Sequence, residues 1–190
     1  VMETGHLEHL YYGERITVDT QDSAFCAPLV IQRGFAPGNT CTYDREHPQI
    51  SMEDVCLEVG TFGKGDIREP FLEIRHADGS VTSDFTFVSY EVFTLKEREQ
   101  WLQDSGLPHS YSEAETASAD CLHIILQDVM NHVELQLFYT VFEECDVITR
   151  SARLINHSDA TVTLERCLSA QLDLTEDYSV ITHFSGAWAR

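Results

Sequence analysis

The chain has 190 residues, 43% hydrophobic and 10% aromatic, enough for one well-buried core and of the length expected for one domain or part of a larger one. Twelve Lys and Arg stand against thirty-two Asp and Glu, a formal net charge of −20. Such a field repels phosphate backbones and anionic lipid, so nucleic acid and membrane are excluded as partners, and a neutral or cationic ligand or another protein is expected.

No apolar run approaches the ~20 residues that cross a bilayer, and no signal peptide is visible, although the first residue is Val1 rather than an initiator Met. The reading is a cytoplasmic protein. None of the six cysteines (Cys26, Cys41, Cys56, Cys121, Cys145 and Cys167) forms a CxxC pair, the usual spacing of a structural zinc site. Most lie beside apolar neighbours, as in ADCLHII, and are expected to be free thiols in a reducing compartment.

In chain order, HLEHLYYGERITV (6–18) and FCAPLVIQRGF (25–35) read as strands. Within the first, His6 and His9 fall on opposite faces of a strand, which argues against a shared metal. Next comes FGKGDIREP (62–70). Its glycines permit a tight turn, and Pro70 fixes the chain before the next strand without donating a ladder bond. Asp66 and Arg68 alternate onto one side. They either clamp this loop as an ion pair or hold it as part of a wall near a subunit contact or ligand site.

FLEIR (71–75) and SDFTFVSYEVF (83–93) are predicted to pair as a hairpin around the HADGS turn. LKEREQWLQDSGLP (95–108) is either a helix ended by Gly-Leu-Pro or a loop, and residues 108–119 read as a polar surface connection. Four strands then follow in a meander: CLHIILQ (121–127), HVELQLFYTV (132–141), VITRSARLI (147–155) and TVTLERCLSAQLDL (161–174). In the second, Val133, Leu135, Leu137, Tyr139 and Val141 share one face, and Glu134, Gln136 and Thr140 the other. In the fourth, Val162, Leu164 and Leu168 oppose Thr163 and Glu165.

No pattern of catalytic chemistry stands alone in these residues. Thirty-two acidic side chains cannot be sorted by spacing into the carboxylate pair of a glycosidase. Ser185-Gly186 lacks the flanking glycines of a nucleophile elbow. GKGD lacks the Gly-Lys-Ser/Thr ending of a phosphate loop. The residues by themselves give an acidic, all-β domain.

A series of blocks taken together resembles the N-terminal domain of the bacterial α-galactosidases of glycoside hydrolase family 36. In order, these are GHLEHLYYG, IQRGFAP, FGKGDIREP for the family's YGxGDxREP, GLPHSYSEAE, the run LQLFYTVFEECDVITRSARLINHSDATVTLERCLSAQLDL, and SGAWAR. They cover nearly all 190 residues. The resemblance implies an antiparallel β-supersandwich of the galactose-mutarotase-like kind over residues 1–190, here an incomplete portion that should leave strand edges and apolar surface exposed. A catalytic (β/α)₈ barrel would follow and would carry both catalytic aspartates, so no catalytic residue is expected in this chain. The whole enzyme would hydrolyse terminal α-galactosides of the melibiose and raffinose type with retention and with no cofactor or metal.

The resemblance also implies sugar contacts. Trp188, in the GAW block, matches a tryptophan that approaches the galactose site, where an indole face suits a pyranose. In tetrameric members a loop from a neighbouring subunit reaches the site. Its acidic position is occupied here by Gln32, a departure from the family's Asp, and its basic position by Arg45 in TYDREHP. A homo-oligomer, tetramer or dimer, follows from the same likeness. The alternative is a free-standing carbohydrate-binding or protein-interaction module that reuses the sandwich.

Overall fold

A computed structural model of the chain describes residues 1–13, 16–17, 43–48, 50–52, 55–63, 69–98 and 118–172. Among these, the architecture is all-β and antiparallel. Its strands are β1 (Leu72–Arg75), β2 (Thr86–Thr94), β3 (Asp120–Asp128), β4 (Val133–Phe142), β5 (Val147–Asn156) and β6 (Thr163–Cys167). Strands β2-β3-β4-β5 form one sheet in that order, and β1 pairs with β6 in a second. No helix among the described residues is long and apolar enough to cross a membrane.

The meander follows from alternation. β4 is central, pairing antiparallel along its whole length with β3 and β5 (Leu135 faces Leu126 on one side and Leu154 on the other). Val133, Leu135 and Leu137 are fully buried, as their period of two requires. Beyond Leu137 the pattern changes hands. Phe138, Thr140 and Phe142 are buried instead, and Val141 is 44% exposed, so the expected single apolar face from Val133 to Val141 does not run the length of the strand.

The reason is that the sheet is covered on opposite faces at its two ends. At one end, Phe71, Leu72, Ile74 and Phe85 pack with Leu126, Val133, Leu135 and Leu137. At the other, Phe93, Leu95 and Ala119 pack with Cys121, Phe138 and Phe142. Adjacent residues of a strand point to opposite faces, so one strand serves both clusters only by switching which parity is apolar.

Two pairings differ from those read in the sequence. The HADGS turn forms: the His76 N–H donates to the Ser80 carbonyl at 2.8 Å, and Gly79 adopts φ +86°, which a glycine tolerates. The strands flanking it do not form a hairpin with each other. β1 pairs with β6, Leu72 opposite Cys167 and Arg75 opposite Thr163, while β2 joins β3. Side chains hold the intervening chain out of a ladder: Ser83 Oγ lies 2.9 Å from His76 Nε2, and the Thr61 hydroxyl donates to the Ser83 carbonyl at 2.7 Å. Only three of the four later segments make the meander. β6 leaves it for β1, and its Leu164 is half exposed.

Near the start, residues 6–13 are not a strand; their backbone forms the isolated antiparallel bridge Glu8–Leu57, and Leu7 packs against the core. Residues 25–35 lie outside the described residues. Of the segment 95–108, Leu95–Arg98 forms a 3₁₀ turn with Leu95 buried, and the remainder is outside the described residues. Ala119, at the end of the segment read as a surface connection, is buried against the second cluster.

Candidate functional site

Five positions carry the expectation of ligand contact, and the described residues include one of them. Arg45 stands exposed on the loop 43–48; Gln32, Asp66, Arg68 and Trp188 lie outside the described residues.

The loop around Arg45 closes on itself. Asp44 Oδ1 accepts hydrogen bonds from the N–H groups of Glu46 (2.8 Å) and His47 (2.7 Å), and His47 Nδ1 lies 2.9 Å away. Desolvation raises the Asp44 carboxyl, but the His47 and Glu46 hydrogen bonds outweigh it and hold the group below its usual range. The Tyr43 N–H donates to the Ile50 carbonyl at 2.8 Å and the Ile50 N–H to the His47 carbonyl at 3.1 Å.

This loop is tied to the body through one carboxylate. The Tyr43 hydroxyl donates to Asp84 Oδ2 at 3.0 Å, and His6 Nε2 lies 2.9 Å from Asp84 Oδ1. The Tyr43 and His6 rings meet edge to face at 4.9 Å. Burial, then the Asp84 charge, pushes the Tyr43 phenol well above its ordinary value. His6 Nδ1 in turn lies 3.0 Å from the Thr4 hydroxyl oxygen.

A second carboxylate organises the sheet's polar margin. Glu58 accepts from the Tyr139 hydroxyl and from Arg150 Nε (3.1 Å), and His9 Nδ1 lies 3.1 Å from its other oxygen. Glu58 and Arg150 are 14% and 11% exposed at their side chains, so this is a nearly dry ion pair. The Arg150 guanidinium also lies 4.5 Å over the Phe71 ring and donates to the Ser169 carbonyl at 2.7 Å. Apolar core and polar network therefore meet at one residue.

A third lies on the edge strand. Arg98 forms a bidentate pair with Glu91 (2.8 and 2.6 Å), and His123 Nδ1 lies 3.0 Å from Glu91 with its ring stacked on Phe138 at 4.3 Å. Glu91 and His123 border an open groove of ≈ 200 Å³ that is also lined by Ser89, Tyr90 and Ile125.

The three carboxylates are bound by tyrosine, arginine and histidine, an arrangement suited to holding segments in place. Among the described residues, no group of three or more His, Cys, Asp or Glu is placed to hold a metal ion. His6 and His9 go to different carboxylates, Asp84 and Glu58. Among the described cysteines, Cys121, Cys145 and Cys167 carry free thiols.

The family model for the "Glycosyl hydrolase family 36 N-terminal domain" matches residues 5–190. The chain belongs to this family. Among curated relatives, α-galactosidase AgaA of Geobacillus stearothermophilus is 32% identical over 191 aligned residues, covering 100% of this chain and 24% of AgaA. The bifunctional α-galactosidase/sucrose kinase AgaSK of Mediterraneibacter gnavus is 35% identical over 97% of this chain and 18% of its own length. The fold agrees with solved structures. A variant of G. stearothermophilus AgaA in complex with stachyose superposes with a TM-score of 0.72 at 27% identity, covering 90% of this chain and 22% of that one. The α-galactosidase of Lactobacillus brevis gives 0.71 at 26% identity, covering 91% and 22%. The chain thus spans about a quarter or less of the relatives it matches. It corresponds to the N-terminal domain of α-galactosidases, which are glycoside hydrolases.

The anchors Tyr43, His6, Asp84, Glu58 and Arg150 did not emerge from the sequence. Each pairing joins residues far apart in the chain, His6 with Asp84 and Glu58 with Arg150, and no local spacing marks such partners. The nearest signal was Arg150, one of two arginines in the otherwise apolar and hydroxylic strand VITRSARLI, and nothing in the spacing set it apart from Arg153.

Proposed function

We propose that this chain is the N-terminal, non-catalytic domain, residues 1–190, of a cytoplasmic α-galactosidase that hydrolyses terminal α-galactosides with retention. The catalytic aspartates belong to a barrel that this domain supports. The observation that carries the reading is the family match across residues 5–190, together with α-galactosidase relatives that align along the whole chain. The stachyose complex of AgaA supports an α-galactoside as the substrate class. On this reading the enzyme is a homo-oligomer, a tetramer or dimer, in which Gln32 and Arg45 reach the sugar of a neighbouring subunit. Trp188 lies against the galactose face, and the Asp66–Arg68 loop walls the site. No metal or organic cofactor takes part.

The test is hydrolysis of raffinose and a chromogenic α-galactoside by the full-length polypeptide and by residues 1–190 alone. Turnover by the first and none by the second is expected. A full-length protein that binds α-galactosides without cleaving them would replace the reading with a carbohydrate-binding module, and turnover by the isolated chain would move the site out of the barrel. Within an active enzyme, Trp188→Ala should lower kcat/KM by ~5–150-fold, the loss of one stacking and hydrogen-bond contact worth ~1–3 kcal/mol. Normal kinetics with a large fall in Tm would return the tryptophan to a core.

A further inference from the structure

We propose that Asp84 is a positioning residue for the loop that presents Arg45, acting through the Tyr43 hydroxyl; this rests on the reading in which Arg45 contacts sugar. No residue described from Tyr43 to Pro48 is buried, and the loop's own hydrogen bonds close it without attaching it to the core. Its orientation therefore depends on what holds Tyr43. That hold includes a hydroxyl bond of 3.0 Å to Asp84 and the edge of the His6 ring.

Asp84 is itself immobilised from both sides. Its second oxygen faces His6, and its backbone N–H donates to Asp128 Oδ2 at 3.2 Å. Asp128, at the end of β3, is buried and accepts from the Asn131 N–H at 3.2 Å and the Asn131 side-chain amide at 2.7 Å. A continuous path thus runs from the central sheet through Asp128, Asp84 and Tyr43 to the loop whose exposed side chains are Asp44, Arg45 and Glu46. A charge-assisted bond on a rigid tyrosine fixes direction better than an apolar contact of similar size, because it is angularly restricted. A guanidinium on a long flexible stem gains from such a base, since less freedom is left to lose when it binds a hydroxyl.

The experiment uses the full-length polypeptide with Tyr43→Phe, Arg45→Ala and the double variant. KM and kcat for raffinose are measured, together with hydrogen-exchange mass spectrometry of the peptide containing residues 43–50. Tyr43→Phe, which keeps the ring and loses the bond, is expected to raise KM about 5–10-fold, leave kcat within about twofold, and speed exchange in that peptide. The double variant should be no worse than Arg45→Ala, because both act at one point. Asp84→Asn should reproduce the KM effect. A Tyr43→Phe variant with lowered Tm but normal KM overturns the proposal, as do multiplicative losses in the double variant or unchanged exchange. A normal KM for Arg45→Ala alone removes the sugar contact and with it the positioning role. Faster exchange in Tyr43→Phe would then locate the failure in the parent reading and not in the anchor.

Discussion

The meander β2–β5 and the approach segments (residues 1–13, 43–48, 50–52 and 55–63) lie against the same body and are attached to it differently. The meander is a continuous antiparallel ladder whose buried side chains are chiefly Leu, Val and Phe. The approach segments contribute the isolated bridges Glu8–Leu57 and Thr61–Leu72 and place Val59 in the core, and several of their polar side chains converge on Asp84 and Glu58. Hydrophobic burial is non-directional and sets which layers stack. Charge-assisted hydrogen bonds are directional and set where a loop points. The two regions therefore divide the work: layer stacking in the first, loop placement in the second.

The largest blow to the first region is a cavity in its centre. Leu135 is fully enclosed between Leu126 and Leu154. Leu135→Ala should cost about 3–5 kcal/mol in urea unfolding with little change in slope. A cost below about 1 kcal/mol would mean that the core is not organised around β4.

For the second region the corresponding change is Glu58→Ala, which strands the Arg150 guanidinium beside Phe71 without its counter-charge. Removing one partner of a fully buried pair costs ~3–5 kcal/mol; the small residual exposure of both side chains reduces this to roughly 2–4. Glu58→Gln keeps an acceptor for Tyr139 and should lose about half as much. Equal stability of wild type and Glu58→Ala would erase the distinction between the two regions.

These two sites also show what the sequence made legible. HVELQLFYTV announced β4 because alternation is a local signal, complete within ten residues. The switch of buried parity after Leu137 was hidden, because it depends on Leu95 and Ala119 arriving over the opposite face from other parts of the chain. The pairing of β1 with β6 was hidden for a similar reason: HADGS encodes a turn, not the partner of the strand that leaves it. Of the candidate site, Arg45 was reached only through family resemblance, and its anchors not at all, since a Tyr–Asp or Glu–Arg bond across the fold leaves no spacing to read.

The boundary between the regions is tested at Gly79, whose φ of +86° lies where an L side chain is strained. A Cβ there would meet nothing within 4 Å, so the cost of Gly79→Ala is purely conformational, about 1–2 kcal/mol. A neutral result would show that the turn relaxes, and that the Ser83–His76 bond alone diverts the chain away from a hairpin.

The smallest expected effect sits where the regions meet. Tyr139 belongs to the apolar half of β4 by position, yet donates its hydroxyl to Glu58. Burial first, and the Glu58 charge next, push its phenol well above the ordinary value. The unfolded chain therefore releases this proton near pH ~10 while the folded chain keeps it. Above that pH the unfolded state binds fewer protons, so stability declines as pH rises, until the folded phenol itself ionises. Half a unit past the unfolded value the loss from this one group is about 0.8 kcal/mol. Tyr139→Phe removes the group, and the difference in stability between wild type and variant should therefore narrow between about pH 9.5 and 10.5. Tyr43, also raised, contributes equally to both proteins and cancels in that difference. A difference that stays constant with pH would mean the Tyr139 hydroxyl reaches water, and that Glu58 is held by Arg150 and His9 without it.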